Sequence, residues 1–137
     1  MKKKIIVLSM VSLLLLGGCA KGYKEGIYTG TATATVTVDS NGKITSVELD
    51  TTYTKDGVKT TKKALGSEYG MYNNPYGSTI GEWDTQVKAL EDYIVKNQGI
   101  DSLKLNEDGK TDAVSGCTIK IDALYEAASN ALKQAKK

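Results

Sequence analysis

Near its C-terminal end the chain reads Asp112-Ala113-Val114-Ser115-Gly116-Cys117-Thr118, and this is the stretch whose residue types and spacing could do chemistry. Two hydroxyls, Ser115 and Thr118, flank a glycine just ahead of an amphipathic segment. Unpaired backbone N–H groups and the positive dipole end at a helix start form a ready anion site. Gly116 lets the backbone approach a phosphate closely. The same residues also fit a plainer role, with Ser115 or Thr118, together with Asp122, capping the helix that follows. Residue types alone leave both readings open.

Composition removes many other chemistries. The 137 residues contain no His, and all 18 basic residues are Lys. Without His there is no Ser-His-Asp or Cys-His hydrolase and no His-ligated metal site. Two cysteines, Cys19 and Cys117, supply neither a zinc tetrad nor a disulfide framework. Guanine and phosphate readout falls mainly to Arg, so a chain without Arg is not read as a nucleic-acid binder. Length and composition suit one globular domain, two at most.

The first 18 residues stand apart from that domain. Lys2, Lys3 and Lys4 begin it, an apolar run over 5–16 follows, and Gly17 and Gly18 precede Cys19. The run is too short and too neatly ended for a spanning helix, and it reads as a signal peptide. Leu16-Gly17-Gly18-Cys19 resembles a bacterial lipobox, at which diacylglycerol joins the Cys19 sulfur and the chain is cut before it. A plain secretory signal with an incidental cysteine, or a buried apolar helix, is the alternative. Two acyl chains give stable anchoring where one does not. The expected organisation is a signal over 1–18, a lipidated tether over 19–25 and a domain over 26–137, held at the extracytoplasmic face of the cell membrane. Loss of the three leading lysines leaves 15 Lys against 16 acids, a net charge of −1. The basicity of the whole chain therefore says nothing about partners.

The elements that must position the motif follow from periodicity. Residues 31–38 alternate β-branched and small side chains, Asn41-Gly42 marks a hairpin, and 44–54 resumes as the return strand. Small residues on the first strand leave space for a packing helix. Residues 55–79 read as an aperiodic loop, rich in Gly, Asn and Tyr. Within it Tyr69, Met71, Tyr72 and Tyr76 form either a cap on the core edge or a ligand wall. Ile80, Trp83, Val87, Leu90 and Ile94 define a helix over 81–96, stopped at Gln98-Gly99. Residues 100–105 read as a short strand and 106–110 as a turn. Ile121, Leu124, Tyr125, Ala128, Ala131, Leu132 and Ala135 form a second apolar helical face. The expected fold is α+β, a small antiparallel sheet with an N-terminal hairpin packed by two amphipathic helices.

Residues 112–118 resemble the D-[AG]-x-[ST]-G-A-T motif of the FMN-binding domain family. Gly26-Ile27-Tyr28-Thr29-Gly30 is similar to that family's opening G-x-Y-x-G strand, and Gly42-Lys43-Ile44 to its G-K-I hairpin. Residues 63–71 with Ile80-Gly81-Glu82-Trp83 look like a branch of surface lipoproteins tied to extracellular electron transfer and to pheromones released from signal sequences. The resemblance implies FMN joined by a phosphoester to Thr118, installed from FAD by a Mg²⁺-dependent flavin transferase. It implies that Asp112, Ser115, Gly116 and Cys117 surround the attachment, and that Tyr69, Tyr72, Tyr76 and Trp83 are placed to flank the flavin ring. It also implies a helix beginning near Ile119 that neutralises phosphate charge. Asp112 is either a turn-former or a support for the transferase's Mg²⁺, and Cys117 either tunes the flavin or fills space. Two positions depart from the motif: its Ala is Cys117, and the hydroxyl residue common two places beyond the acceptor is Lys120.

Three functions follow from these residues. The first is an electron-transfer carrier, without substrate turnover of its own, that receives electrons from a membrane dehydrogenase or quinol-linked donor. The second is a lipoprotein that binds flavin or a small ligand non-covalently. The third is a pheromone precursor whose signal fragment is the active product.

Overall fold

A computed structural model describes residues 26–29, 33–72 and 80–136. The signal segment, Cys19, the tether and Tyr76 lie outside the described residues.

Three antiparallel strands, β1 (Gly26–Thr29), β2 (Ala34–Val38) and β3 (Ile44–Leu49), pair in the order β1-β2-β3. The turn between β2 and β3 closes on Asp39, whose Oδ1 accepts the N–H groups of Asn41 and Lys43, both at 2.9 Å. Ala34, Val36 and Val38 of β2 are buried at alternate positions, as period-2 geometry requires. On β3 the buried set is Ile44, Val47 and Leu49. The odd spacing of Ile44 and Val47 is made possible by a bulge: Val38 pairs with Ile44 and Thr37 with Ser46, leaving Thr45 unpaired.

Two helices cover one face of this sheet. α2 (Trp83–Asn97) packs on β3, and α3 (Asp122–Ala135) packs on β1 and β2. Ala127, Ala128, Ala131 and Ala135 of α3 are buried together with Ala34 and Val36 of β2. Small residues on both surfaces suit a close approach of helix and sheet. The opposite sheet face carries Thr35, Thr37, Ser46 and Glu48, none of them buried. The architecture is therefore α+β, with an N-terminal hairpin packed by two amphipathic helices.

Polar side chains of α2 and of its C-cap residue Gln98 fasten the helix to the sheet. Gln98 accepts the Ile44 N–H at 2.8 Å through Oε1 and donates to the Ile44 carbonyl at 2.9 Å through Nε2. Glu91, 4% exposed, accepts the Leu49 N–H at 2.8 Å and pairs with Lys63. Each satisfies a strand-end group that would otherwise be unpaired beside the core.

Three expectations are corrected. The return strand does not run over 44–54; it ends at Leu49, and a second hairpin follows, β4 (Thr52–Lys55) and β5 (Val58–Thr61). Asp56 and Gly57, with φ of 51° and 79°, form its two-residue turn, the arrangement Asp-Gly favours. Residues 55–69 are consequently not an aperiodic loop. After β5 come α1 (Lys62–Leu65), capped by the Thr61 hydroxyl, and a 3₁₀ turn over Gly66–Tyr69. No strand forms over 100–105, because Ile100 and Leu103 are buried at a spacing of three and joined by a turn bond of 2.9 Å. The turn over 106–110 is present, closed by Asn106 N–H to the Lys110 carbonyl at 2.8 Å.

Candidate functional site

The motif occupies a surface turn that α2 holds from below. Thr111 is buried, and its hydroxyl accepts the Ala113 N–H at 3.1 Å. The turn-forming side chain is thus Thr111, one place before Asp112. Val114 and Cys117 point into the core at 6% and 1% exposure, while Asp112, Ser115, Gly116 and Thr118 remain exposed. Gly116 has φ of 84°, and a Cβ built there would meet only the Ala89 methyl, at 3.9 Å. Its requirement is therefore backbone conformation rather than space.

Thr118 has a specific partner. Gln86, fully buried on α2, accepts the Thr118 N–H at 2.8 Å and the Thr118 hydroxyl at 3.2 Å, both through Oε1. Its Nε2 donates to the Gly81 carbonyl at 3.0 Å, which fixes the orientation of the amide. Gln86 was not singled out from the sequence. The available signal was a polar residue three places after Trp83 and four before Leu90, inside the apolar stripe of α2.

The helix expected near Ile119 starts at Asp122. Residues 119 and 120 are used to reach back to the preceding turn, where the Ile121 N–H donates to the Gly109 carbonyl at 2.8 Å. Thr118 is therefore not in the first turn of α3, and the helix-dipole contribution expected there is absent. The capping role fails as well: α3 has no side-chain cap, and the Thr118 hydroxyl is directed to Gln86.

Aromatic residues gather at the other side of the start of α2. The Lys62 ammonium lies 4.9 Å from the centroid of Tyr69 and 5.3 Å from that of Trp83, within cation–π range of both. Tyr69 meets Tyr53 edge to face at 5.2 Å. Glu82 accepts the Met71 N–H at 3.2 Å and the Tyr72 N–H at 2.6 Å, so the residue preceding Trp83 holds the strand of chain carrying Tyr72. Trp83 is buried, Tyr69 half-buried and Tyr72 exposed at 48%. The structure thus unites Tyr69, Tyr72 and Trp83 around the N-terminus of α2, and Thr118 joins the same helix one turn further on.

Two open clefts lie on the surface, one on the α2 side and one that includes motif residues. One, of about 430 Å³, is lined by Lys63, Asp84, Thr85 and Lys88. The other, of about 480 Å³, includes Lys104, Asn106, Lys110 and Asp112, which places Asp112 on a different lip from Thr85 and Lys88. The hydrogen bond to Asp92 raises the Lys88 pKa, so its charge is secure. Burial raises the Cys117 thiol pKa, opposed by the smaller effect of the Ile119 N–H. The thiol is neutral at ordinary pH and sits in the core cluster.

A three-stranded sheet lies under two helices, and the glycine turn at Gly116 presents Thr118 at the surface beside them. A family model for the FMN-binding domain matches residues 28–133, so the chain belongs to the FMN-binding domain family, and FMN is the cofactor that such a domain binds. A solution NMR structure of a protein from Clostridium thermocellum is similar, at 36% identity and a TM-score of 0.54, over 83% of this chain and 93% of that one. Among curated proteins none matches. The residues present fit the cofactor: Thr118 is an exposed residue with a hydroxyl, Ser115 and Gly116 beside it are exposed too, and Tyr72 adds exposed aromatic surface at the same helix end.

Proposed function

We propose that the chain is a lipid-anchored extracytoplasmic electron carrier whose FMN is joined to Thr118 by a phosphoester. The observation that supports this most directly is Thr118, an exposed residue whose hydroxyl is fixed to Gln86 in a chain of the FMN-binding domain family. A covalent bond keeps a flavin that would otherwise diffuse away outside the cell.

When bound, the flavin supplies the electron-transfer chemistry, and the protein supplies position and electrostatics. Thr118 provides the attachment, Ser115 and Gly116 the open turn about it, and Tyr69, Tyr72 and Trp83 the aromatic surroundings. Lys62, poised over two of those rings, adds positive charge beside them. Thr118 bonds only to the amide of Gln86 among the described residues, and a neutral amide removes no proton. A threonine hydroxyl is a weak nucleophile, so its activation is assigned to a flavin transferase and its metal. Anchoring is assigned to membrane lipid on Cys19, and the electron source to a membrane dehydrogenase or quinol-linked donor.

The test is co-expression of the full chain with a flavin transferase. Wild type should gain the mass of one FMN less water and stay yellow after denaturation. Thr118→Val, which loses the hydroxyl at similar volume, should remain folded and colourless. A wild type that carries FMN only under native conditions would be a non-covalent flavin binder instead.

A further inference from the structure

We infer that Gln86 is the positioning residue for flavin attachment, holding the Thr118 oxygen at the angle from which it attacks the flavin-side phosphorus of FAD. The inference rests on the assignment of Thr118 as the attachment site.

Gln86 is fully buried in the middle of an apolar stripe, where an unpaired amide would be costly. Every polar atom of its head is engaged by the site: Oε1 takes the N–H and the hydroxyl of Thr118, and Nε2 grips the Gly81 carbonyl. A side chain pinned at Nε2 cannot swing, so its oxygen sets both the backbone and the rotamer of Thr118. With its proton directed inward to Oε1, the Thr118 oxygen presents its lone pairs outward, where this exposed residue meets solvent and the transferase.

The reaction forms a bond between Thr118 Oγ1 and the flavin-side phosphorus of FAD. It breaks the pyrophosphate P–O bond and AMP leaves; as the new bond forms, the O–H turns away from Oε1 and its proton passes to a base on the transferase. Phosphoryl transfer runs through a loose transition state in which little is asked of nucleophile basicity, so placement dominates. Gln86 takes no proton at any point. After transfer it keeps its 2.8 Å bond to the Thr118 N–H, and so goes on fixing the attachment.

The experiment presents the full chain in detergent to a flavin transferase with FAD and Mg²⁺, varying the concentration of the chain. Gln86→Met, of similar length and without an acceptor, should lower kcat by roughly ten- to a hundredfold, the range for a misplaced reacting atom. KM for the chain should stay unchanged, because the surface that the transferase meets is intact. In the unloaded chain the Thr118 amide should lose its protection from hydrogen exchange in Gln86→Met. Thr118→Ser, which keeps both bonds to Gln86, should stay within about threefold of wild type, as placement by Gln86 rather than by the methyl requires. A Gln86→Met chain modified at the wild-type rate, or one altered in KM alone, overturns the inference while leaving the attachment site standing. If Gln86→Met does not fold, Thr118→Ser decides: collapse of its rate means that the methyl, not Gln86, places the oxygen. An unmodified wild type removes the attachment site itself, and the inference with it.

Discussion

One oxygen of Gln86 receives two hydrogens from Thr118, across a sequence separation of 32 residues. That pair joins the motif turn to α2, whose preceding turn carries Trp83 and the Glu82 carboxylate that holds Met71 and Tyr72. A single helix end thus organises the hydroxyl and the aromatic residues, and its own position is fixed on the sheet by Glu91 and Gln98. Damage to the site is therefore expected from two directions: through the turn itself, and through the polar ties of α2.

Gly116→Ala tests the turn. With φ of 84° and nothing nearer than 3.9 Å, the substitution meets strain without a clash. Adoption of the left-handed region by an L-residue costs about 1–2 kcal/mol. Urea denaturation should show a loss of that size, and flavin loading should slow because the turn that presents Thr118 relaxes. An unchanged urea midpoint would mean that the turn tolerates a different backbone path.

Lys63→Met tests the ties of α2. It leaves the buried Glu91 carboxylate with the Leu49 N–H as its remaining partner. Breaking a fully buried pair costs about 3–5 kcal/mol; Lys63 is a quarter exposed, which admits water, so about 2 kcal/mol is expected. Glu91→Gln keeps an acceptor for Leu49 and should cost less, about 1 kcal/mol. Equal losses in the two variants, measured by urea melts, would show that the charge is immaterial.

Elements whose burial follows sequence period were legible from the residues: β2, α2 and α3 lie within two or three residues of their expected bounds. The second hairpin was not, because Tyr53 and Val58 are exposed and no apolar alternation marks β4 or β5. Its one local sign was Asp56-Gly57. The motif itself was legible from the types of Ser115, Gly116 and Thr118, but its support was not. Gln86 acts on Thr118 through tertiary packing, and a glutamine in an apolar stripe does not announce its partner. The start of α3 was misplaced for a similar reason, since the long-range bond from Ile121 to Gly109 delays the helix.

Cys19→Ala tests the anchor, which rests on the apolar run over 5–16 ending in Gly17-Gly18-Cys19. Diacylation gives stable membrane attachment, so its loss should move the protein out of the membrane fraction or stall processing of the leader. Membrane fractionation with intact mass reads both. A Cys19→Ala protein that stays in the membrane fraction at an unchanged mature mass would rule lipidation out.

Cys117 stands where the resembled motif has Ala, and the structure places it in the core at 1% exposure. Burial raises its pKa, with the Ile119 N–H opposing. An unfolded thiol ionises at about 8.5. Below that pH both states are protonated, and the stability gained by keeping the thiol neutral is fully present. As pH rises above it, the unfolded chain releases the proton first, so stability falls until the folded thiol also ionises. Urea midpoints measured from neutral pH upward should therefore decline more steeply in wild type than in Cys117→Ala, whose other titrating groups are the same. Cys117→Ala should also cost about 1–2 kcal/mol at neutral pH from the small cavity left behind. Iodoacetamide should modify the native chain slowly at Cys117 and the unfolded chain quickly, because the thiolate is the reactive form. Flavin loading of Cys117→Ala should match wild type, since the side chain faces the core while Thr118 faces out. Parallel pH slopes in the two proteins, or rapid alkylation of the native thiol, would mean that Cys117 is open to the site rather than packed beneath it.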